Sequence, residues 1–161
     1  MRNYDKLIFV CKSNTSVSPM AEAIMQQAFK LEDILIESRG LVVLFPEPVN
    51  PKVEAVLEEN GLSSMEHMSC ALTEDDFDVR TLVLTMNEKQ KEEILRDFEK
   101  AQNVWTLAEF TESEELKDPY GGDLSDYGEC FSQLKAMTDK LAEAMEREDP
   151  TSFEIEDEQP E

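Results

Sequence analysis

The stretch that decides the fold is residues 7–19, Leu7-Ile8-Phe9-Val10-Cys11-Lys12-Ser13-Asn14-Thr15-Ser16-Val17-Ser18-Pro19. The four consecutive apolar residues at 7–10 predict a buried strand, and Pro19 predicts the first turn of a helix that begins at about Ser18. The polar loop between them starts with a cysteine. In such a loop, backbone N–H groups converge beside the positive end of the helix dipole. The sequence therefore predicts an anion site that also stabilises a thiolate at Cys11.

Strand and helix patterns alternate along the rest of the chain. Four strands are expected at 7–10, 34–37, 81–86 and 104–107, and helices at 18–30, 51–60, 88–100 and 124–147. Asn50 and Pro51 predict the start of the second helix and Gly61 its end, while Thr73 opens a further short helix. Such alternation is typical of a parallel sheet with right-handed crossovers. The loop after the first strand then lies at the carboxyl edge of the sheet, where ligands of open α/β folds bind.

The 161 residues carry a formal charge of −22, with a pI near 4.2. Like-charge repulsion argues against nucleic acid and anionic membranes as partners, so any phosphate site must be built locally. Many of the acids follow Arg147, which predicts one domain over 1–147 and an acidic, disordered tail over 148–161.

The cysteines and the N-terminus bear on the cellular compartment. No apolar run approaches the roughly 18 residues of a membrane span, and residues 1–5 lack a secretory apolar region. The three cysteines, Cys11, Cys70 and Cys130, are odd in number and unpatterned, which argues against a disulfide framework. We therefore expect a cytoplasmic protein, and the sequence indicates no metal site and no cofactor. The one histidine, His67, has no ligand spacing around it and is expected to be structural or on the surface.

Three motifs resemble one known family. Residues 11–22, in which Ser18 is followed by Pro-Met-Ala-Glu, resemble the active-site loop of the low-molecular-weight protein tyrosine phosphatases, whose pattern is Cys, five residues, Arg and Ser. That family's downstream Asp-Pro-aromatic hallmark appears as Asp118-Pro119-Tyr120, and Ser38-Arg39-Gly40 resembles its turn after the second strand. The resemblance covers residues 6–146. It implies an open four-stranded parallel sheet with helices on both faces, in the flavodoxin-like manner.

The resemblance also implies a chemistry, the hydrolysis of phosphotyrosine or another aryl phosphomonoester through a phosphocysteine. Cys11 would be the nucleophile, Asp118 the general acid and then base, and Tyr120 a wall for the aryl ring. The implied phosphate-binding loop consists of Lys12, Ser13, Asn14, Thr15, Ser16, Val17 and Ser18.

Val17 departs from the family pattern, because it stands where the family has its loop arginine. An arginine fork holds two phosphoryl oxygens at once, and losing it from comparable sites costs about 10³ to 10⁵ in rate. We therefore expect impaired catalysis, with Ser38 and Arg39 as candidate supports and Arg39 as the cation that would lean in.

Three functions stay open at this point. The first is a phosphatase of reduced rate, and the second is a non-catalytic protein that binds phosphate or phosphoproteins. The third is a phosphoryl carrier resembling the sugar phosphotransferase B components, which need no distant general acid, so Asp118 counts against it. Arsenate reduction is disfavoured because no further cysteine has a clear relay spacing.

Overall fold

A four-stranded parallel sheet forms the centre of the protein. The computed structural model describes residues 4–28, 34–64 and 66–147. The strands are β1 (Lys6–Cys11), β2 (Leu35–Gly40), β3 (Thr81–Thr85) and β4 (Val104–Thr106), in the spatial order β2-β1-β3-β4. The chain leaves β1 on one side and later returns to β3 on the other. The loop after β1 therefore lies at the point where the strand order reverses, which is the ligand-binding position in open α/β sheets.

The described residues form five helices beside the sheet. They are α1 (Val17–Ala28), α2 (Pro51–Glu59), α3 (Glu88–Asp97), α4 (Leu107–Thr111) and α5 (Leu124–Arg147). A 3₁₀ turn, Glu74–Asp76, precedes β3. Along β1, alternate residues pack into two different clusters: Leu7 and Phe9 pack with residues of α1, α2 and α5, whereas Ile8 and Val10 pack with Ile94 of α3. The α/β architecture with helices on both faces is thus confirmed.

Several sequence-based boundaries are confirmed. Asn50 caps α2 by accepting the N–H of Lys52, Pro51 is its first residue, and Gly61 follows it at a φ of 76°. The last helix has its predicted bounds. Thr73 opens the 3₁₀ turn through a capping box with Asp76. These boundaries were predictable because caps and φ-restricted residues act locally.

Other boundaries were wrong. The second strand continues to Gly40, so Ser38-Arg39-Gly40 ends β2 rather than forming the turn after it. The first helix begins at Val17, within one residue of the expected start, and the predicted continuation to residue 30 lies outside the described residues. A helix that was not predicted, α4, lies between β4 and Asp118. The expected acidic tail, 148–161, is also outside the described residues.

No helix in the described part of the chain combines the length and the apolar character needed to cross a membrane.

Candidate active site

The loop between β1 and α1 is fixed by Asn14, which is fully buried and has a left-handed backbone at a φ of 60°. Its Nδ2 donates to Ser18 Oγ at 3.0 Å and to Ser38 Oγ at 2.9 Å, and its Oδ1 accepts the N–H of Cys70 at 2.9 Å. Asparagine tolerates this conformation better than other residues with a Cβ atom. All the polar atoms of the side chain are satisfied, so the bend is strongly specified.

Cys11 is the last residue of β1 and only 6% exposed. Its Sγ lies 2.9 Å from the Oγ of Ser18, in the first turn of α1. Because Ser18 Oγ already accepts from Asn14, its own hydrogen is free to donate to the sulfur. The start of α1 thus provides the sulfur of Cys11 with a hydrogen-bond donor.

Gly40 allows the loop to approach β2 closely. A Cβ atom at this position would lie 2.9 Å from the carbonyl carbon of Ser13 and 2.7 Å from a methyl group of Val43. Any larger residue would push the loop away from the strand. The sequence motif Ser38-Arg39-Gly40 thus has two contacts with the loop, because Ser38 also accepts the hydrogen bond from Asn14.

His67 contacts the backbone of the loop. This contact is consistent with the structural role expected for His67. Its Nε2 lies 2.8 Å from the carbonyl oxygen of Asn14, which can only accept, so this nitrogen carries the hydrogen. Its Nδ1 is 3.9 Å from Glu22 Oε1, and the same carboxylate oxygen accepts the hydroxyl of Ser38 at 2.5 Å. Sequence reasoning missed these contacts of His67 and Glu22. The one available signal was that Glu22 belongs to the family's Pro-Met-Ala-Glu motif.

Two residues between Asn14 and Ser18 lack such pairing. Val17 is 6% exposed and packs in the core cluster below α1. The Oγ of Ser16 is buried and has no hydrogen-bond partner, alone among the side-chain nitrogens and oxygens of the described residues. Val17 has no hydrogen-bond donor and the hydroxyl of Ser16 has only one. Neither residue therefore holds two oxygens of an anion as a guanidinium does.

A cavity of about 470 Å³ opens above the loop. Its lining consists of Cys11, Lys12, Ser13, Ser16, Val17, Val42, Met86, Asn87, Gln90, Leu116, Asp118 and Tyr120. The structure therefore brings Asp118 and Tyr120 to the same cavity as Cys11, although more than 100 residues separate them along the chain. Of the other loop residues, Asn14 and Ser18 are buried beneath this lining, and Thr15 bonds to Ser13 at 2.7 Å.

Asp118 and Tyr120 lie on an exposed loop. The carboxylate of Asp118 accepts the N–H of Tyr120 at 2.9 Å, which orients the acid across a tight turn. The ring of Tyr120 is 85% exposed and stands at the mouth of the cavity. An exposed ring of this kind can form one wall for a flat substrate without any rearrangement of the core.

Arg39 lies outside the cavity. Its guanidinium donates to Glu37 and to the carbonyl of Ser38, each at 2.8 Å, and lies 3.5 Å from Asp76. In β2 it is in register with Val10, whose side chain belongs to the cluster that packs against α3, whereas Cys11 belongs to the other cluster. For Arg39 to act as the missing cation, it would have to break these bonds and cross to the other face of the sheet.

Cys130 is buried in α5 next to the loop that carries Asp118. Burial raises the pKa of the Cys130 thiol to about 12, and the nearby Asp118 carboxylate adds to the rise. At neutral pH this group is a thiol and a poor nucleophile, unlike a cysteine at a helix start. Within residues 4–28, 34–64 and 66–147, no three histidine, cysteine or carboxylate side chains are grouped to hold a metal ion.

Comparison with known proteins finds related phosphatases. The model of the family described as low molecular weight phosphotyrosine protein phosphatase matches residues 6–151. The chain is 30% identical over 146 residues to a protein-arginine-phosphatase of Geobacillus stearothermophilus, covering 89% of this chain and 97% of that protein. It is 34% identical over 137 residues to the low molecular weight protein-tyrosine-phosphatase PtpB of Staphylococcus aureus, covering 84% and 96%. The crystal structure of a low molecular weight protein tyrosine phosphatase from T. tengcongensis aligns with a TM-score of 0.78 at 32% identity, covering 86% and 97%.

Proposed function

We propose, since this chain belongs to the low molecular weight phosphotyrosine protein phosphatase family, that it hydrolyses aryl phosphomonoesters such as phosphotyrosine through a phosphocysteine at Cys11. We further propose that Val17 makes this turnover slow. The observation that carries the proposal is the 2.9 Å contact between Cys11 and Ser18 at the start of α1, in a cavity that Asp118 also lines. A nucleophile with its donor and a general acid are the two groups that the reaction needs.

The reaction has two steps. In the first, the Cys11 thiolate forms a bond to phosphorus while the bond from phosphorus to the phenolic oxygen breaks, and Asp118 gives its proton to the leaving oxygen. In the second, water attacks the phosphorus, Asp118 takes a proton from it, and the sulfur–phosphorus bond breaks. Inorganic phosphate leaves, and the thiolate and the protonated acid are restored.

Val17 affects the transition state most. The backbone N–H groups of the loop and the dipole of α1 still provide positive potential for phosphoryl oxygens. A fork that holds two of those oxygens and tightens as charge redistributes is absent at position 17. By analogy with other phosphoryl-transfer arginines, we expect a rate about 10³ to 10⁵ below that of a chain with the arginine.

A second function, binding without turnover, is favoured by the same position. The apolar side chain at 17 lacks the fork that would hold the transition state, whereas the backbone N–H groups of the loop can still bind a phosphoryl group. Such a protein would retain phosphorylated partners rather than hydrolyse them. The substrate class also has an alternative, because the Geobacillus relative is named a protein-arginine-phosphatase. Phosphorylated arginine would place a P–N bond where phosphotyrosine has P–O, with Asp118 again protonating the leaving group.

The proposal includes a cytoplasmic location and a phosphoprotein or small aryl phosphate as partner. It is supported by three free cysteines, two of them buried. It also treats 1–147 as the catalytic domain and 148–161 as an acidic tail, while the family match spans residues 6–151.

The test is hydrolysis of an aryl phosphate by the purified protein beside Cys11→Ser and Asp118→Asn. We expect slow release of phosphate that Cys11→Ser abolishes and Asp118→Asn reduces about 10²-fold or more. Peptides with phosphotyrosine and with phosphoarginine, assayed in parallel, decide the substrate class. Retention of a phosphopeptide with no release of phosphate would favour binding without turnover. Hydrolysis that persists undiminished in Cys11→Ser would overturn the phosphocysteine route.

A further inference from the structure

The cavity above Cys11 has one basic side chain. Among the described residues that line it, Lys12 is the only lysine or arginine. We propose that Lys12 is the phosphate-binding cation of this site and partly replaces the charge that Val17 lacks, which raises the affinity for phosphorylated ligands rather than the rate of turnover. This inference rests on the proposed function, because it assumes that a phosphoryl group enters the cavity.

The backbone of Lys12 is fixed at the rim of the cavity. Its carbonyl oxygen accepts the N–H of Val42 at 2.8 Å, and the carbonyl of Cys11 accepts the N–H of Leu41 at 3.1 Å. Lys12 itself is exposed and lines the cavity directly after the cysteine. A flexible four-carbon stem on a fixed backbone can bring an ammonium group to an anion held over the loop.

Lys12 is also available for an anion. Within the described part of the chain, no carboxylate pairs with its ammonium group, although the protein has 37 acidic and 15 basic residues. Other cations are already engaged: Lys91 pairs with Glu109 at 2.9 Å and Arg39 with Glu37 at 2.8 Å. Because the ammonium group of Lys12 has no carboxylate partner among the described residues, it can attract a phosphoryl group that binds to the loop.

The other basic groups near the site are placed less well. Lys117 precedes Asp118 in sequence but lines the neighbouring cavity with Cys130, not the one above Cys11. Arg39 is bound on the other face of the sheet. These positions leave Lys12 as the cation that reaches the phosphoryl group without breaking an existing contact.

A lysine differs from the arginine it would replace. The ammonium is a mobile point charge, so it cannot hold two equatorial oxygens in a fixed geometry. It therefore stabilises the bound substrate and the transition state about equally. Uniform binding of this kind lowers KM and leaves kcat nearly unchanged.

The experiment compares Lys12→Gln with the unmodified protein, using inorganic phosphate as the binding probe and an aryl phosphate as the substrate. At low ionic strength we expect Lys12→Gln to weaken phosphate binding and raise KM about three- to tenfold, with kcat within about twofold. Near 1 M salt the difference should shrink, because the screening length falls to about 3 Å. Lys12→Arg should retain the affinity. Lys100→Gln, which changes the same charge beyond the far end of α3, is the matched control.

Each outcome decides between the two proposals. Equal phosphate affinity in the unmodified protein and Lys12→Gln would overturn the role of Lys12 while the proposed function stands. The same would follow if Lys100→Gln weakened binding as much, or if Lys12→Gln lowered kcat and left KM unchanged. If the unmodified protein neither binds phosphate nor hydrolyses the ester, the proposed function fails and the role of Lys12 fails with it.

Discussion

The residues of the loop after β1 form two groups, a shaping half and a gripping half, which interleave along the chain. The two groups differ in how completely their side-chain polar atoms are hydrogen-bonded. In the shaping half, Asn14 and Ser18, every side-chain polar atom has a partner, and Ser38 on β2 completes the network. In the gripping half, Ser16 has a buried hydroxyl without a partner and Val17 has no polar atom at all. The bend of the loop is thus held by neutral hydrogen bonds. The shape of such an anion loop and the charge that grips the anion are separable properties.

Restoring the charge gives the largest expected effect. Val17→Arg should raise kcat/KM for an aryl phosphate by about 10³- to 10⁵-fold, because a guanidinium fork then holds two phosphoryl oxygens in the transition state. Steady-state kinetics at saturating and at low substrate would measure the gain. Val17→Met, which adds length without a donor, is the control and should stay slow.

The next largest effect should follow from removing the side chain of Asn14, which makes most of the hydrogen bonds of the shaping half. Asn14→Ala leaves the N–H of Cys70 without its acceptor and Ser18 and Ser38 without a donor. We expect the free energy of unfolding to fall by about 2 to 4 kcal/mol, as measured by urea denaturation. Asn14→Gly keeps the left-handed backbone but loses the same bonds, so it separates strain from pairing. A fall of less than about 0.5 kcal/mol in Asn14→Ala would mean that the pairing does not hold the loop.

A smaller effect should follow from the contact between Ser18 and Cys11. Ser18→Ala removes the hydroxyl 2.9 Å from the sulfur, so the thiolate loses a charge-assisted hydrogen bond. We expect alkylation of Cys11 by iodoacetamide at neutral pH to slow about tenfold, with the site of alkylation identified by mass spectrometry. Ser13→Ala, whose hydroxyl bonds to Thr15 instead, should leave the rate unchanged. Equal rates in Ser18→Ala and the unmodified protein would remove Ser18 from the account of thiolate stabilisation.

The smallest effect is expected outside the lining of the cavity, at the start of α4. The N–H of Thr106 and the ammonium of Lys91 bind the Glu109 carboxylate and lower its pKa below the ordinary 4.5. A lowered pKa stabilises the folded state above the unfolded pKa, and this contribution is lost as the pH falls through the folded value. Since Glu109 is 40% exposed, Glu109→Gln should cost below about 1 kcal/mol in urea denaturation at neutral pH and nothing near pH 2.

The Glu109→Gln variant also serves as a control for the alkylation of Cys11. Alkylation of Cys11 should be unaffected in Glu109→Gln, because α4 does not line the cavity. A change in that rate would show that general stability, rather than the local network, controls the reactivity of Cys11.

Much of the site was predictable from the sequence because its signals are local. Cys11, Pro19 and the family motifs predicted the loop between β1 and α1 and the grouping of Asp118 with it. The end of β2 was missed because Glu37 and Arg39 interrupt the apolar pattern, and in the structure they pair with each other. Helix α4 has only five residues, and its one signal was the capping box of Thr106 and Glu109.

The contacts that hold the loop were not predictable, because they join residues far apart in sequence. His67 bonds to the carbonyl of Asn14, from which it is 53 residues away in sequence. The N–H of Cys70, 56 residues away in sequence, bonds to the side chain of Asn14. The position of Arg39 followed from the extra length of β2, which put its side chain on the face away from the cysteine. Spacing along the chain contains none of this information until the strand register is known.

The most direct test of the account is whether the unmodified loop binds a tetrahedral oxyanion without its arginine. Tungstate, titrated against the alkylation of Cys11, reports occupancy of the loop independently of catalysis. We expect saturable protection of Cys11 in the unmodified protein, tighter protection in Val17→Arg, and loss of protection in Asn14→Ala. Protection in Val17→Arg alone, with none in the unmodified protein at any tungstate concentration, would contradict this expectation, because the loop would then depend on the arginine for its shape as well as its charge.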